Sequence, residues 1–550
     1  MVPCVGVSYG AAPALVKKRP RRRRCPHRSA MTSSARIRRP RPDGDELAAP
    51  AHTAAATTAP EPLHALSPSE VRTIVLSLMV TMFLTALDQT IVATALPIMG
   101  RQFMDGANLS WVITAYLLSS TSVAPVFGSL SDIYGRRAMM TVALGLFLLG
   151  SILCALAPTL LVLILARFLQ GLGGGGILPL VQTMLADIIT PRQRAQYQAY
   201  FSMVWVSAGI GGPVLGGVIA EHLHWSLIFW INVPLVMIAF GMLMPKMKKL
   251  PIHHRPRALD AAGGLLLMAA AIVFLLMLTW GGNRYAWLSP TLLALGAVVM
   301  LLAGLFVWHA RRTREPFLPL SLLTGPVVPF AITAAACAIG TLVGLTVHMP
   351  IYYVSAYHMS ASEAGAALIP IVVLSVPGAT LAGRVMMHMT HYKWVALAGL
   401  GLGAATALAL ALLTPLPLWA LQVLVSIMAL GLGTTFPVTV VAVQSAVARH
   451  QVGTVTGALN FFRSLMAAIS VALFTAILLA ALGRSGAPSL DQPDLTATSA
   501  AGMIGAFRYV FIAAAVLLGT GALSIARMEE RPLAGAPASA VDPVEMDLGE

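Results

Sequence analysis

The chain has 550 residues, 57% hydrophobic and only 10% charged, with a formal net charge of +15. A soluble domain carries about 25% charged residues, so this composition excludes a soluble globular protein and places most of the length in lipid. The positive excess is not a nucleic-acid signature: much of it sits in the N-terminal runs "KKRPRRRR" (Lys17–Arg24) and "ARIRRPRP" (Ala35–Pro42), which suit a tail lying on anionic lipid or a stretch ahead of a later start at Met31.

Residues 1–70, rich in Pro, Ala, Arg, Ser and Thr, are expected to form a disordered basic tail. No short apolar stretch follows the basic run, so no signal peptide is expected. Apolar runs of about 20 residues, the length that spans a bilayer as a helix, then recur at 72–99, 110–130, 138–157, 159–181, 199–220, 225–245, 261–279, 290–310, 327–355, 362–383, 393–413, 417–442, 455–481 and 506–526. An open sheet cannot cross lipid, and the runs lack the dyad alternation of a barrel. The prediction is an all-α membrane protein with fourteen transmembrane helices. Loop charges support the even number. One set of loops holds Arg136, Arg137, Arg192, Arg194, Lys246, Lys248, Lys249, Arg255, Arg257, Arg311, Arg312, Arg314, Lys393 and Arg449, the other only Arg101, Arg284 and Arg484. Positive loops stay in the cytoplasm, so both termini are expected there.

The first run contains "LTALDQTIVATALP". Asp88 is its only ionisable residue between Arg72 and Arg101. A carboxylate at the middle of a span costs roughly 3 kcal/mol or more, so it needs a purpose. It can couple protons, hold a cationic substrate, do both in turn, or simply hydrogen-bond between helices. Arg167, in "LARFLQGLGGGG", sits roughly 10 Å inside the fourth run at 1.5 Å per residue, where it either snorkels or holds the ionised Asp88. The G-x-G-x-x-G beginning at Gly171 follows no strand and lies in a span, so it is no dinucleotide fingerprint.

The second run ends in "GSLSDIYGRR". Here Gly128 allows close helix packing, Asp132 can pair with arginines and cap a neighbouring helix, Gly135 precedes the arginine pair, and Arg136 and Arg137 can anchor to phosphates or carboxylates. In the fifth run "SAGIGGPVLGGVIA" places Gly212, Pro213, Gly216 and Gly217 together, a pattern for tight packing and a kink. Tyr116, Gln170, Trp205, Trp230 and Phe461 are candidates to line a cavity. The 27 methionines suit an adaptable pocket. Cys4, Cys25, Cys154 and Cys337 show no metal or redox spacing, and His348 reads as a buried neutral histidine. A weak repeat links "GSLSDIYGRR" to "GRVMMHMTHYK" (Gly383–Lys393), and "GLGGGGILPL" to "GLGTTFPVTV", at an offset of eight runs. Two six-helix bundles with a two-helix insert give that offset, and parallel repeats mark secondary transporters.

Gly128-x-Leu-x-Asp132-x-x-Gly135-Arg136-Arg137 resembles the loop between helices two and three of the major facilitator superfamily, and Arg167-x-x-Gln170-Gly171 resembles its fourth-helix signature. With "LDQTIVATALP", "WVITAYLLSS", the Gly-Pro motif, "HWSLIFWINVPL" and "ARRTREPFLPLSLL", residues 70–530 resemble the fourteen-helix drug:proton antiporters of the EmrB/QacA type. The chain departs from that pattern at Val354, His358, Thr390, Met466 and Ala467, the last four standing where glycines are expected. The resemblance implies a major facilitator fold: a tail (1–70), an N-terminal bundle (71–246), a linker with helices seven and eight (247–325), a C-terminal bundle (326–527) and a second disordered tail (528–550). It implies export of a small amphipathic compound, driven by the proton gradient without a cofactor, from a bacterial inner membrane. The exporter is expected to be monomeric, with a periplasmic adaptor and an outer-membrane channel as expected partners. Asp88 and Arg167 would couple protons or hold a cation, the "GSLSDIYGRR" residues would gate the cytoplasmic face, and the Gly-Pro motif would mark an exporter. No G-x-x-x-x-G-K loop points to ATP, and no paired acids or histidine clusters point to an enzyme. Multidrug export and export of one endogenous metabolite, siderophore or antibiotic remain open, with a channel as the remote rival.

Overall fold

A computed structural model describes residues 68–105, 108–247, 259–282, 284–389, 391–484, 500–531 and 533. The expected N-terminal tail, Lys248, Lys249, Arg255 and Arg257 of the linker, Thr390 and most of the C-terminal tail lie outside these residues. Fourteen helices are long and apolar enough to cross a membrane: α1 (Ser69–Phe103), α2 (Trp111–Tyr134), α3 (Arg136–Ala155), α4 (Leu160–Ile188), α5 (Pro191–Ile219), α6 (Leu227–Lys246), α7 (Ala261–Trp280), α8 (Pro290–Arg312), α9 (Val328–Tyr357), α10 (Ser362–His388), α11 (Lys393–Leu413), α12 (Leu418–Ser445), α13 (Arg449–Leu482) and α14 (Ala501–Arg527).

Local chemistry sets the ends. Thr159 caps α4 by accepting from the Val162 amide. Thr190 and Gln193 form a capping box at α5, where Pro191 occupies a first-turn position that needs no amide. Helix α9 ends on His358, whose φ is +54°. This left-handed conformation favours glycine, which explains why His358 is one of the positions where the resemblance leads one to expect glycine. Helix α10 is broken into Ala361–Ala366, Ile369–Val373 and Ser375–His388. Helices α5 and α13 begin about two turns before their apolar runs. Arg192, Arg194, Gln198, Thr454 and Thr456 there are polar yet buried, because they face protein rather than lipid; hydropathy alone cannot register such residues.

Helices α1–α6 pack on one another, chiefly as α2–α4, α3–α4 and α1–α5, and α9–α14 as α9–α13, α11–α14, α11–α12 and α10–α12. The halves meet through α2–α13 and α5–α10. This is the eight-helix offset of the sequence repeat: adding eight to α2 gives α10, and adding eight to α5 gives α13. Helices α7 and α8 pair with each other and α7 lies against α2 and α13, while α8 is the least buried of the spans. The end of the bundle bearing the Arg136, Arg192, Arg311, Lys393 and Arg449 segments is called the basic end below. Residues just after α14 are held rather than free. Lys393 Nζ donates to the carbonyls of Ala526 (2.7 Å) and Met528 (2.6 Å), the Lys393 amide donates to Glu530, and Met528 and Leu533 are buried. The described start of the segment expected to be a disordered tail is therefore packed.

Asp260 fastens the α7–α8 pair. It caps α7 through the Gly263 amide (2.9 Å), accepts from the Phe317 amide (2.9 Å) and pairs with His309 Nε2 (2.7 Å). Partial burial works against its charge, but those donors prevail and hold it below the ordinary carboxylate range. A depressed folded value means that its contribution is complete above the unfolded pKa and is lost as pH falls through the folded one. We expect Asp260→Ala to lower the thermal midpoint at pH 7, and the gap to wild type to close as the medium is acidified below the range of an unfolded aspartate; a gap independent of pH would contradict this.

Candidate functional site

The charged centre is built from five helices of the first half. Asp88 on α1 accepts from Arg167 Nη1 of α4 at 2.7 Å through Oδ2, and from Gln170 Nε2 and Asn232 Nδ2, both at 2.9 Å, through Oδ1. Arg167 also donates to the Gln170 side-chain oxygen (2.6 Å) and, through Nε, to the Val112 carbonyl of α2 (3.1 Å). Its guanidinium lies 4.3 Å from the Tyr116 ring centre and 5.7 Å from that of Phe229. Ser151 of α3 accepts from Gln170 (2.8 Å) and Asn232 (3.3 Å) and donates to Phe147. Asp88 and Gln170 are fully buried, and Arg167 and Asn232 are 1% exposed. An arginine this enclosed is not snorkelling. Ion-pair geometry, a cation–π face and three amide or hydroxyl partners together offset desolvation that either charge alone would not survive.

Tyr116 and Gln170 are thus packed into this cluster. Phe461 is buried against Phe462, ring centres 5.2 Å apart, whereas Trp205 and Trp230 are exposed at 36% and 38%. The aromatics and Gln170 are not gathered around one cavity in this conformation.

The "GSLSDIYGRR" segment ties α2 to α13 at the basic end. Asp132 receives the amides of Gly453 (3.0 Å) and Thr454 (2.7 Å) and the Thr454 hydroxyl (2.8 Å) at the start of α13, together with Arg136 Nη1. A negative charge on a helix N-terminus is favoured by the unpaired amides and the helix dipole. Arg136 extends the network to Ser131 (2.9 Å) and Asp187 (3.1 Å). Gly128 admits the approach of the two backbones, since a Cβ there would overlap the Gly453 carbonyl. Gly135, at φ +89°, turns the chain between α2 and α3. Arg137 is exposed. An open cleft of about 480 Å³ flanks this latch, lined by Asp132, Arg311, Arg314 and His450 among others.

The matching contact in the other pair of helices uses the opposite charge. Arg192 of α5 donates to the Met387 (3.2 Å) and Met389 (3.4 Å) carbonyls at the end of α10, and a Cβ on Gly383 would come within 2.8 Å of the Ala195 carbonyl. Between the latches, Arg194 donates to Gln444 (2.7 Å), Gln444 to the Gln182 carbonyl (3.3 Å) and Asn460 to the Gln182 side chain (2.8 Å). Sequence reasoning missed Ser151, Gln182, Arg194 as a buried group, Asn232, Gln444, Asn460 and Arg463. For Asn232, Asn460 and Arg463 the available signal was a strongly polar residue inside an apolar run, the same signal that drew attention to Asp88; Gln182, Arg194 and Gln444 fall just outside the runs.

Gly212 and Gly216 press α5 onto α1 beside the charged centre. A Cβ on Gly212 would overlap the Thr90 hydroxyl, and one on Gly216 would meet the Ile91 carbonyl at 2.6 Å. Thr90 itself donates to the Ala208 carbonyl at 2.9 Å. Pro213 has no amide to give within the helix, and nothing lies within 4 Å of a Cβ on Gly217. Gly216→Val should therefore force α5 off α1 and lower the thermal midpoint and folded yield, by the equivalent of about 1–3 kcal/mol. Gly217→Ala should leave both within error, and equal damage from the two changes would contradict the packing role.

The chain matches the family model described as Major Facilitator Superfamily over residues 78–260 and 250–471. It is 32% identical over 406 residues to the efflux pump dotC of the fungus Dothistroma septosporum, covering 72% of this chain and 70% of that one. It is 30% identical over 444 residues to the multidrug transporter protein MdtP of Bacillus subtilis, covering 78% and 80%. Among solved structures it resembles the human organic anion transporter MFSD10 (TM-score 0.58, 15% identity, 83% of this chain and 99% of that one) and the proton:xylose symporter XylE (TM-score 0.54, 15% identity, 84% and 95%), likenesses of fold alone. With fourteen apolar helices among the described residues, the family model matched over most of its length and relatives that are efflux pumps, the chain is a transporter rather than an enzyme and belongs to the major facilitator superfamily.

Proposed function

We propose that the protein exports small amphipathic compounds in exchange for protons, with the basic end in the cytoplasm and no cofactor beyond the gradient itself. The observation that supports this reading best is the enclosed Asp88–Arg167 pair. The Asp88–Arg167 pair is intact while the α2–α13 contact at the basic end is made. A proton reaching Asp88 removes its charge and frees Arg167, so helices α1, α2, α3, α4 and α6, which meet at the pair, rearrange together. A membrane potential of 100 mV supplies roughly 2.3 kcal/mol per proton, enough for a gradient of about 40-fold. Asp88 accepts from Arg167, Gln170 and Asn232, which leaves one of its roughly four lone-pair positions in a fully buried site, room for a proton rather than for a cationic head group.

The test is transport by the purified protein in liposomes, using a fluorescent amphipath and an imposed pH difference. Accumulation against the amphipath gradient that collapses with a protonophore is expected. Movement that equilibrates the amphipath and ignores the pH difference would overturn proton exchange. Repeating the assay with chemically unrelated amphipaths separates multidrug export from export of one compound.

A further inference from the structure

Arg463 lies on α13 about 12 Å past the start of the apolar run at 1.5 Å per residue. It is 9% exposed. Its Nε has no hydrogen-bond partner, its Nη2 makes one long bond to the Thr439 hydroxyl of α12 (3.3 Å), and its guanidinium stands 5.7 Å from the Phe436 ring centre. Among the described residues no carboxylate pairs with it: Asp88 is taken by Arg167, and Asp132 and Asp187 by Arg136. The same half holds further buried polar atoms with no partner. They are the Thr435 hydroxyl, one residue before Phe436, the Ser470 hydroxyl, two turns past Arg463 on α13, and the Thr341 hydroxyl of α9. A Cβ on Gly340 would overlap the Ser470 hydroxyl, so α9 and α13 meet there.

Each unmade hydrogen bond in an apolar interior is costly, and an unpaired buried charge is costlier still. In the first half Arg167 has its carboxylate, and Arg194, whose Nε is likewise unpartnered, has the Gln444 side-chain oxygen at 2.7 Å. In the second the carboxylate is missing, and the unpartnered Thr435 hydroxyl lies one helical turn from Thr439, which Arg463 touches. We propose that Arg463 and Thr435 form a substrate subsite for an anionic head group, with a substrate carboxylate or comparable oxyanion pairing with Arg463 and Thr435 completing its hydrogen bonds. Arg463 can engage such a group through parallel N–H donors, while Phe436 receives the apolar body. The inference rests on the export reading and gives it a substrate class, amphipathic anions.

The test uses purified full-length protein and probes of one shape: 2-naphthoate, its uncharged amide, and 2-naphthyltrimethylammonium, with one- and three-ring carboxylates alongside. In binding titrations the carboxylates should bind at least tenfold more tightly than the amide and the cation. Arg463→Gln should erase that preference and Arg463→Lys should keep most of it. Arg463→Met should raise the thermal midpoint of the ligand-free protein, which a merely structural arginine would not do. Equal binding of naphthoate by wild type and Arg463→Gln, tighter binding of the cation, or no binding of any carboxylate would overturn the proposal. Liposome transport separates it from the reading it rests on. Naphthoate that binds through Arg463 but does not accumulate on a pH difference would sink proton-driven export and leave the subsite standing. Gradient-driven export of the cation, unaffected by Arg463→Gln, would do the reverse.

Discussion

Asp88→Asn should abolish accumulation driven by a pH difference, lowering it by at least about 100-fold at matched protein level, while downhill exchange of substrate persists. The side chains are nearly the same size, so packing of α1 against α4 is kept. What changes is the charge. Asp88 accepts three hydrogen bonds through two oxygens; asparagine keeps one acceptor and brings a donor, which the Gln170 and Asn232 amides can meet by turning over. Arg167 cannot adapt in that way. Removing one member of a buried ion pair costs about 3–5 kcal/mol, and about 1.4 kcal/mol is a factor of ten. The variant resembles a transporter whose proton never leaves, so the cycle runs only where no proton need be released. Arg167→Gln should fail for the mirrored reason, leaving a buried carboxylate with two amides. Combining Asp88→Asn with Arg167→Gln should recover thermal stability, because no unpaired charge remains, yet not recover coupling. Gradient-driven transport by the Asn variant at the wild-type rate would return Asp88 to a structural role.

Much of this arrangement is legible in the chain because lipid imposes severe rules. Every span had to be an apolar helix, and every ionisable residue inside one had to have a reason. That logic reaches Asp88 and Arg167 directly, and the spacing of Gly128, Asp132, Gly135 and Arg136 reaches the latch. It does not reach Asn232 and Ser151, which complete the shell around Asp88. Asparagine and serine carry no charge, and a single uncharged polar residue in a span has many innocent explanations. Nor does it reach Arg194 and Gln198, which hydropathy assigns to a loop but which the structure buries against the second half. Arg463 escaped for another reason. Its importance lies in the absence of a partner, and partners belong to tertiary structure.

The repeat explains how the two latches divide their work. At α2 a carboxylate meets the N-terminal amides of α13; at α5 the arginine Arg192 meets the C-terminal carbonyls of α10. Both choices follow the helix dipole. Asp132 takes two amides and a hydroxyl at 2.7–3.0 Å plus the Arg136 ion pair. Asp132→Asn keeps one acceptor but loses the charge that holds both the α13 amides and Arg136, and charge-assisted bonds are roughly twice as strong as neutral ones. With hydrogen bonds to charged groups worth about 1.5–3 kcal/mol each, losing even one such increment shifts the closed-to-open ratio at the basic end by about tenfold or more. Gln182 lies at the junction behind the latch, bonded to Asn460 and Gln444. A Gln182→Cys reporter should accordingly react with a soluble maleimide about tenfold faster when Asp132→Asn is also present, measured against the same protein without the reporter because Cys4, Cys25, Cys154 and Cys337 are native. Transport should slow with folding and protein level unchanged. Equal labelling with and without Asp132→Asn would show that the carboxylate does not hold the basic end shut, and would leave the arginines of that loop with orientation in the membrane as their sole task.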